Sequence, residues 1–350
     1  MLPCILSAAE EKIVNMYNWA DYIGPTTIAD FEQEFGIKVN YDIYHTTEIV
    51  DAKLMAGKTG YDVVVHAASY SARLIEAGVY KSLDRSRLDN WVNLDPDILQ
   101  IMADFDPGNR HAVPYMWGTT GISYNVDMVR KRFPDAPLDT ADFFFRPEII
   151  SRFADCGVTI LDGPIDTLPM FMSYLGYPGN SIDPLHLREA ERVMTSIRPY
   201  IRYFSSAKML IDMPNKEVCV AMSWSGDYVV ARTRAAEAGI DINLAYAMPE
   251  KGIPAWVDSM FIPSDAPHPD NAYLLINYLL RPEVIAPVSD FTGYANANRS
   301  ATALVDPDIT GDPAIYPDTD VLRRLELSLV YSPKMERNRS RTWTRIKSGL

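Results

Sequence analysis

Three short stretches of the sequence place a tryptophan two or three residues before an aspartate. They are Trp19-Ala-Asp21-Tyr22, Trp224-Ser-Gly-Asp227-Tyr228 and Trp256-Val-Asp258. An indole face attracts a cation by about 0.5–2 kcal/mol, and a carboxylate offers an ammonium group charge-assisted hydrogen bonds. The pattern therefore favours a site for a ligand with an apolar middle and cationic ends. Core tryptophans beside unrelated surface aspartates would give the same pattern, so other features must decide.

The composition limits the classes of protein to which the chain can belong. The chain has 350 residues, which exceeds the size at which a single hydrophobic core usually keeps growing, so two domains are expected. Its net charge of −13 argues against nucleic-acid binding, which needs a basic patch for the phosphates. Because no run approaches about 18 apolar residues, no membrane-spanning segment is expected.

Residues 1–9 are typical of the end of a secretory signal segment. They are largely apolar and finish with small residues at Ser7-Ala8-Ala9, which predicts a mature protein beginning at Glu10. A disordered leader is the alternative. Loss of Cys4 would leave Cys156 and Cys219, and in an exported protein two cysteines form either one disulfide or two buried thiols.

The elements that would position the three stretches form two α/β series. In the first, strands are predicted over 13–17, 37–44 and 61–65, with helices over 25–36, 48–56 and 69–77. In the second, strands are predicted over 158–161, 218–223 and 242–248, with helices over 167–175, 184–197, 226–238, 270–280 and 281–288, and residues 255–262 carry the third stretch. This alternation predicts α/β domains with mostly parallel sheets.

The segments between the two series read differently. Residues 84–109 are polar and predict a loop with one short helix, whereas residues 111–125 carry Pro114 and the Gly118-Thr-Thr-Gly121 break. We therefore expect 111–125 to be an extended crossing rather than a core element. Two series joined by extended crossings predict two lobes with a cleft between them.

The placement of two stretches favours a binding role. Trp19 and Trp224 each come directly at the end of a predicted strand, one in each series. Open α/β sheets bind ligands beyond the carboxyl ends of their strands. This common placement makes ligand binding a better explanation than core packing for these two stretches.

Motifs for other chemistry are absent or incomplete. Gly57-Lys58-Thr59 lacks the earlier glycine of a phosphate loop, since position 52 is Ala52. The five histidines have no metal-ligand spacing, and Ser225 lacks the leading glycine of a nucleophile elbow. We expect neither a metal nor a cofactor. Paired carboxylates beside aromatic rings leave a glycosidase as the enzymatic alternative.

Basic residues near the C-terminus predict a solvated helix edge, with Trp343 docking the segment. They are Arg337, Arg339, Arg341, Arg345 and Lys347.

Several segments in one order resemble the periplasmic polyamine-binding proteins of bacterial ABC importers, and most nearly the putrescine-binding branch. These segments are Tyr17-Asn-Trp-Ala-Asp-Tyr-Ile23, Lys53-Leu-Met-Ala-Gly57, Pro114-Tyr-Met-Trp-Gly-Thr-Thr-Gly121, Trp224-Ser-Gly-Asp227 and Tyr294-Ala-Asn-Ala-Asn298. The resemblance runs from about residue 13 to residue 349 and implies an α/β, two-lobed type II solute-binding fold with its ligand in the interlobe cleft. It also implies a periplasmic monomer without catalysis that delivers its ligand to a membrane permease.

The same resemblance implies the division of the chain and one covalent link. Residues 10–114 plus 239–290 are expected to form the N-lobe, and residues 115–238 plus 291–350 the C-lobe. Cys156 and Cys219 match a family disulfide.

For the N-lobe, the resemblance implies an aromatic wall. Trp19 and Tyr22 match aromatic residues that sandwich the methylene chain of the ligand, and Asp21 matches a polar contact beside them. Ser69 matches a retained hydroxyl, whereas Ala67 stands where the family has a second one.

The remaining implied contacts include both anchors for the ammonium groups. Trp224 and Tyr294 match further aromatic walls, Asp227 matches the carboxylate for one ammonium, and Asp258 matches the carboxylate for the other.

Two departures from the family pattern concern the ligand's length. Trp256 stands where the putrescine branch is Phe-like and resembles spermidine binders instead. Asp166 stands where a glutamate is expected, so its shorter side chain would act through water. Spermidine, cadaverine and agmatine therefore stay open beside putrescine, as does a sensor that uses the same pocket.

Overall fold

The computed structural model of the protein describes residues 10–44, 47–327 and 332–349. The predicted signal segment over 1–9, with Cys4, lies outside the described residues. The chain divides into two compact units. Unit one comprises residues up to Met116, Val257–Thr292 and Asn296–Asp306, and unit two comprises Trp117–Trp256, Gly293–Ala295 and the residues from Pro307 on.

The described residues form strands and helices in alternation. The strands are β1 Ile13–Trp19, β2 Lys38–Tyr44, β3 Val63–Ala67, β4 Val113–Asn125, β5 Val158–Ile160, β6 Tyr203–Phe204, β7 Val220–Trp224, β8 Leu244–Ala247, β9 Ile253–Phe261, β10 Ala295–Asn296 and β11 Leu325–Leu327. The helices are α1 Thr27–Phe35, α2 Thr47–Ala56, α3 Ala68–Glu76, α4 Pro96–Met102, α5 Val126–Arg132, α6 Asp142–Phe145, α7 Pro147–Ile150, α8 Pro164–Leu175, α9 Pro184–Ile197, α10 Met209–Asp212, α11 Ser225–Glu237, α12 Pro269–Leu279, α13 Pro282–Thr292, α14 Pro307–Thr310, α15 Thr319–Leu322 and α16 Pro333–Ser348.

Unit one is built on a mixed sheet in the order β2-β1-β3-β9. β1 pairs in parallel with both β2 and β3, as the strand–helix alternation predicts. β9 joins β3 in the antiparallel sense, and this register sets Asp258 opposite Ala67. The helix predicted to end at Gly36 does so, because Gly36 takes the left-handed conformation (φ +62°) that closes α1.

Unit two carries a sheet in which β4 pairs antiparallel with β7 and β8, while β5 pairs in parallel with β7 and β6. Consecutive phenylalanines of α6 and the residues of α8 pack its core. A disulfide links Cys156 to Cys219, with their Cα atoms 5.6 Å apart. The pairing implied by the resemblance is therefore confirmed.

The predicted lobes and the compact units differ in two longer segments and in residues 115–116 and 291–292, which belong to unit one. Residues 239–256, expected in the N-lobe, belong to unit two, where β8 pairs with β4. Residues 296–306, expected in the C-lobe, belong to unit one, where the Ala297 amide donates to the Tyr115 carbonyl.

The expectation that residues 111–125 avoid the core is wrong. All 13 residues of β4 are buried. The glycines that suggested a break instead allow neighbouring groups to approach the backbone of the strand closely, as glycine inside a strand often does. A Cβ at Gly121 would lie 2.4 Å from Cζ of Tyr246 and 2.6 Å from the carbonyl oxygen of Ala247.

The C-terminal segment docks through an aromatic contact, as predicted. Trp343 on α16 is buried, and its ring meets Phe204 edge-on at 5.4 Å between centroids. Arg339 departs from the expected solvated edge because it is only 3% exposed. Among the described residues, no helix is both long and apolar enough to cross a membrane.

Candidate functional site

Trp19 in unit one is held at the end of β1 by its neighbours. The β1–β2 register sets Trp19 opposite Tyr44, and the two rings lie 4.4 Å apart at 45°. The buried Asn18 side chain accepts a hydrogen bond from the Trp19 backbone amide (2.8 Å) and donates one to the Tyr22 carbonyl (3.1 Å). The indole Nε1 of Trp19 is buried without a hydrogen-bond partner.

The next turn positions Asp21 and Tyr22 differently. Asp21 is exposed and has φ +54°, a left-handed conformation that aspartate tolerates better than most residues. Tyr22 is buried, with its ring perpendicular to that of Tyr115 at 5.7 Å. The Tyr115 hydroxyl donates to the Tyr22 carbonyl at 2.9 Å.

Asp258 is one of the buried carboxylates of unit one, together with Asp62 and Asp106. Asp258 lies in β9 and is 6% exposed. Burial raises the pKa of Tyr44 and of Tyr115 well above the usual value, and the charge of Asp258 raises the pKa of both further. These two tyrosines therefore border the carboxylate, and sequence reasoning missed them both. The pairing of Tyr44 with Trp19 in adjacent strands is the signal that could have found Tyr44.

Ser69 is half-buried at the second position of α3. Its part in binding stays a prediction.

Trp224 and Asp166 meet in unit two. Trp224 is the last residue of β7, and its indole Nε1 donates to Oδ1 of Asp166 at 3.2 Å. Asp166 lies in the first turn of α8. The carboxylate is thus joined directly to the aromatic wall that the sequence predicts.

Asp227 is one of two aspartates that are buried among the described residues of unit two, the other being Asp212. Asp227 lies in the first turn of α11 and is 6% exposed. The Tyr294 hydroxyl donates to its Oδ1 at 2.9 Å, whereas its Oδ2 is buried without a partner. Burial raises the pKa of Asp227 to about 7, and the Tyr294 hydrogen bond opposes this shift. A buried acceptor of this kind costs free energy until a donor reaches it.

Two aromatic rings beside Asp227 lie directly on glycines. The rings of Trp256 and Tyr294 meet at 74° with centroids 5.1 Å apart. A Cβ at Gly118 would lie 2.7 Å from Cζ2 of Trp256, and a Cβ at Gly226 would lie 2.5 Å from the Tyr294 ring. The indole Nε1 of Trp256 is buried without a partner. Sequence reasoning missed the role of both glycines.

Asp258 in unit one and Asp227 in unit two are thus buried carboxylates with aromatic residues close enough to interact with them electrostatically or by a hydrogen bond. A carboxylate and an aromatic ring together give an ammonium both a charge-assisted hydrogen bond and a cation–π contact. Within the described residues, no group of three or more His, Cys, Asp or Glu could hold a metal ion. The arrangement is one for holding a cation rather than for transferring a group.

The fold and these residues define a solute-binding protein. The family model for bacterial extracellular solute-binding proteins matches residues 26–317, and the chain belongs to this family. The chain is thus a solute-binding protein and not an enzyme, and the glycosidase alternative is wrong.

Two relatives and one solved structure are similar to the chain over nearly its whole length. The chain is 44% identical to the putrescine-binding periplasmic protein SpuD of Pseudomonas aeruginosa over 98% of this chain and 94% of the relative. It is also 44% identical to the putrescine-binding periplasmic protein PotF of Escherichia coli, over 98% and 93%. A solved structure from Listeria monocytogenes, assigned to a spermidine/putrescine ABC transporter, superposes with a TM-score of 0.84 at 30% identity and covers 96% of this chain and 99% of that one. The two-lobed fold is thereby confirmed.

Proposed function

We propose that the protein binds a diamine, with putrescine as its preferred ligand, in the periplasm and delivers it to the membrane permease of an ABC importer. The observation that carries this proposal is Asp227: its carboxylate is buried, Tyr294 donates to Oδ1, and Oδ2 has no hydrogen-bond partner. The Tyr294 ring in turn contacts the ring of Trp256. A donor must reach Oδ2 of Asp227 for the buried charge to be favourable. An ammonium group supplies both the donor and the opposite charge.

The second ammonium of the ligand is assigned to Asp258. In this proposal the methylenes between the charges lie against aromatic rings, and each buried CH₂ contributes about 0.8 kcal/mol. That contribution grows with ligand length and does not by itself select one amine. Selection instead follows from the fixed separation of the two carboxylates when the ligand is bound.

The proposed contacts include residues of both units. They are Trp19, Asp21, Tyr22, Ser69 and Asp258 in unit one, and Trp224, Asp227, Trp256 and Tyr294 in unit two. Asp166 acts on the site through its hydrogen bond with Trp224. We further propose that the units act as the two lobes. Burying two carboxylate charges is unfavourable without a cation, so the ligand would favour the closed conformation through its greater affinity for it.

Support for putrescine comes from the relatives. SpuD and PotF are both named as putrescine-binding, and both match nearly the whole chain. Trp256 and Asp166 are departures that make a test against longer amines necessary.

Calorimetric titration of the purified protein with putrescine, cadaverine, agmatine, spermidine and a neutral sugar tests the proposal. We expect putrescine to bind most tightly and the sugar to give no heat of binding. Failure of every amine to bind would contradict the proposed ligand class, and tighter binding of spermidine would contradict the proposed length. Co-purification of a permease, rather than a receptor, distinguishes an importer component from a sensor.

A further inference from the structure

We propose that Asp166 is a positioning residue and not a charge partner of the ligand. By accepting a hydrogen bond from the indole N–H of Trp224, Asp166 fixes the orientation of that ring. This inference rests on the proposed function for its effect on affinity. Its structural basis is the 3.2 Å hydrogen bond from Trp224 Nε1 to Asp166 Oδ1. An indole N–H is only a donor, so the orientation of the ring depends on where its acceptor lies.

The acceptor is held in place by the start of α8. Pro164 is the first residue of this helix, where its restricted φ suits the helical conformation. Asp166 lies in the same first turn, where the helix dipole favours a carboxylate. The fully buried Thr167 donates its hydroxyl to the Leu161 carbonyl at 3.1 Å, which ties the turn to the end of β5.

The C-terminal helix holds the same turn from another direction. Arg339 on α16 is 3% exposed, and its Nη2 donates to the Pro164 carbonyl at 3.2 Å. A buried guanidinium that bonds the first residue of α8 restrains the position of Asp166 two residues later. The C-terminal segment thus acts on the Trp224 ring through α8.

The Trp224 ring needs such a restraint because of its place in the chain. It is half-buried at the junction where β7 ends and α11 begins, three residues before Asp227. A rotation of this ring would change the wall beside the ammonium site without altering the carboxylate. Asp166 therefore influences affinity through geometry, whereas Asp227 influences it through charge.

Asparagine and leucine at position 166 separate the two roles. Asp166→Asn removes the charge but keeps an oxygen that accepts the indole N–H, whereas Asp166→Leu has a similar shape and no acceptor. We expect Asp166→Asn to stay within about threefold of the wild-type affinity for putrescine, and Asp166→Leu to lose about tenfold or more. A loss for Asp166→Asn as large as that for Asp227→Asn would overturn the proposal, since it would show direct pairing with the ligand.

A spectroscopic measurement without ligand tests the contact itself. In a ¹⁵N–¹H spectrum, the Trp224 indole resonance is assigned by its loss in Trp224→Phe. We expect it to stay near its wild-type position in Asp166→Asn and to move in Asp166→Leu, or in Asp166→Ala if the leucine variant does not fold. An indole resonance that does not move on loss of the acceptor would overturn the proposal. Because this measurement needs no amine, it gives its answer even if the proposed diamine function fails.

Discussion

Unit one and unit two each bury an aspartate that we propose as an ammonium anchor, but they place it on different elements. Asp258 lies inside β9, paired across the sheet with Ala67. Asp227 lies in the first turn of α11, where Tyr294 donates to one oxygen and the other has no partner. A helix start and a strand interior thus provide the same group, a buried carboxylate, at equal exposure.

The aromatic walls of the two units differ more than the carboxylates do. In unit one, rings rest on other rings: Trp19 lies on Tyr44, and Tyr22 meets Tyr115. In unit two, the rings of Trp256 and Tyr294 rest on the backbone of Gly118 and Gly226. The first kind of wall tolerates small shifts of side chains, whereas the second depends on the absence of a Cβ.

The largest expected effect comes from removing either carboxylate charge. Asp227→Asn and Asp258→Asn should each weaken putrescine binding about a hundredfold or more, because a buried ammonium would lose its counter-charge. Calorimetry measures both losses. Asp241→Asn is the matched control, since it changes net charge equally at an exposed position. Ser69→Ala should lose much less than Asp258→Asn, and equal losses would contradict the assignment of Asp258 as an anchor.

The second prediction concerns the pH dependence that Asp227 gives to binding. The pKa of Asp227 is raised to about 7 without ligand, and cation binding requires its ionised form. Affinity should therefore be constant above pH 8 and fall as the pH drops below 7, by up to about tenfold per pH unit. The ligand's own amines stay charged throughout, since such groups titrate near pH 10, as lysine does.

Two measurements check this pH dependence. Binding at pH 6 should release a proton, which calorimetry in buffers of different ionisation enthalpy detects. Asp227→Asn should abolish the release, whereas the exposed control Asp241→Asn should keep it. Tyr294 donates to the Asp227 carboxylate, and the charge of Arg234 lowers the pKa of the same group. A release that persists in Asp227→Asn would show that another group titrates.

The same shift has a consequence for stability without ligand. Because the pKa of Asp227 in the folded protein lies above its ordinary value of 3.8, the folded state binds the proton more tightly than the unfolded state does. The resulting contribution to the stability of the folded state is fully present below the ordinary pKa of Asp227 and is lost as the pH rises through 7. The unfolding temperature of Asp227→Asn should accordingly depend less on pH over this range than that of the wild type.

Local patterns in the sequence predicted much of the scaffold. The alternation of strands and helices predicted the parallel β2-β1-β3 core of unit one, and the bounds of α9 were predicted without error. These features depend on periodicity and on helix-end residues, which act within a few positions of one another. The order in which β9 joins the sheet depends on distant packing and could not be read in this way.

The parts of the candidate site that escaped prediction are those that other elements supply. Tyr44 and Tyr115 border Asp258 only because three separate strands bring them together. The Asp166–Trp224 hydrogen bond joins residues 58 positions apart. Gly118 misled the interpretation of β4, because a glycine that makes room for an indole looks, in the sequence, the same as a glycine that breaks a strand.

The smallest expected effect tests this interpretation of Gly118. A Cβ there would lie 2.7 Å from Cζ2 of Trp256, so Gly118→Ala should displace the indole ring and weaken putrescine binding about tenfold, with a loss of stability of about 1–3 kcal/mol. In a Trp256→Phe background the smaller ring relieves the contact with the indole, and the same substitution should cost less. The part of the cost that remains comes from Oγ of Ser225, which would lie 2.8 Å from the Cβ. Calorimetry on the four proteins of this cycle gives the coupling between the two positions. Additive losses would mean that Gly118 acts on β4 itself and not through the aromatic wall that distinguishes unit two from unit one.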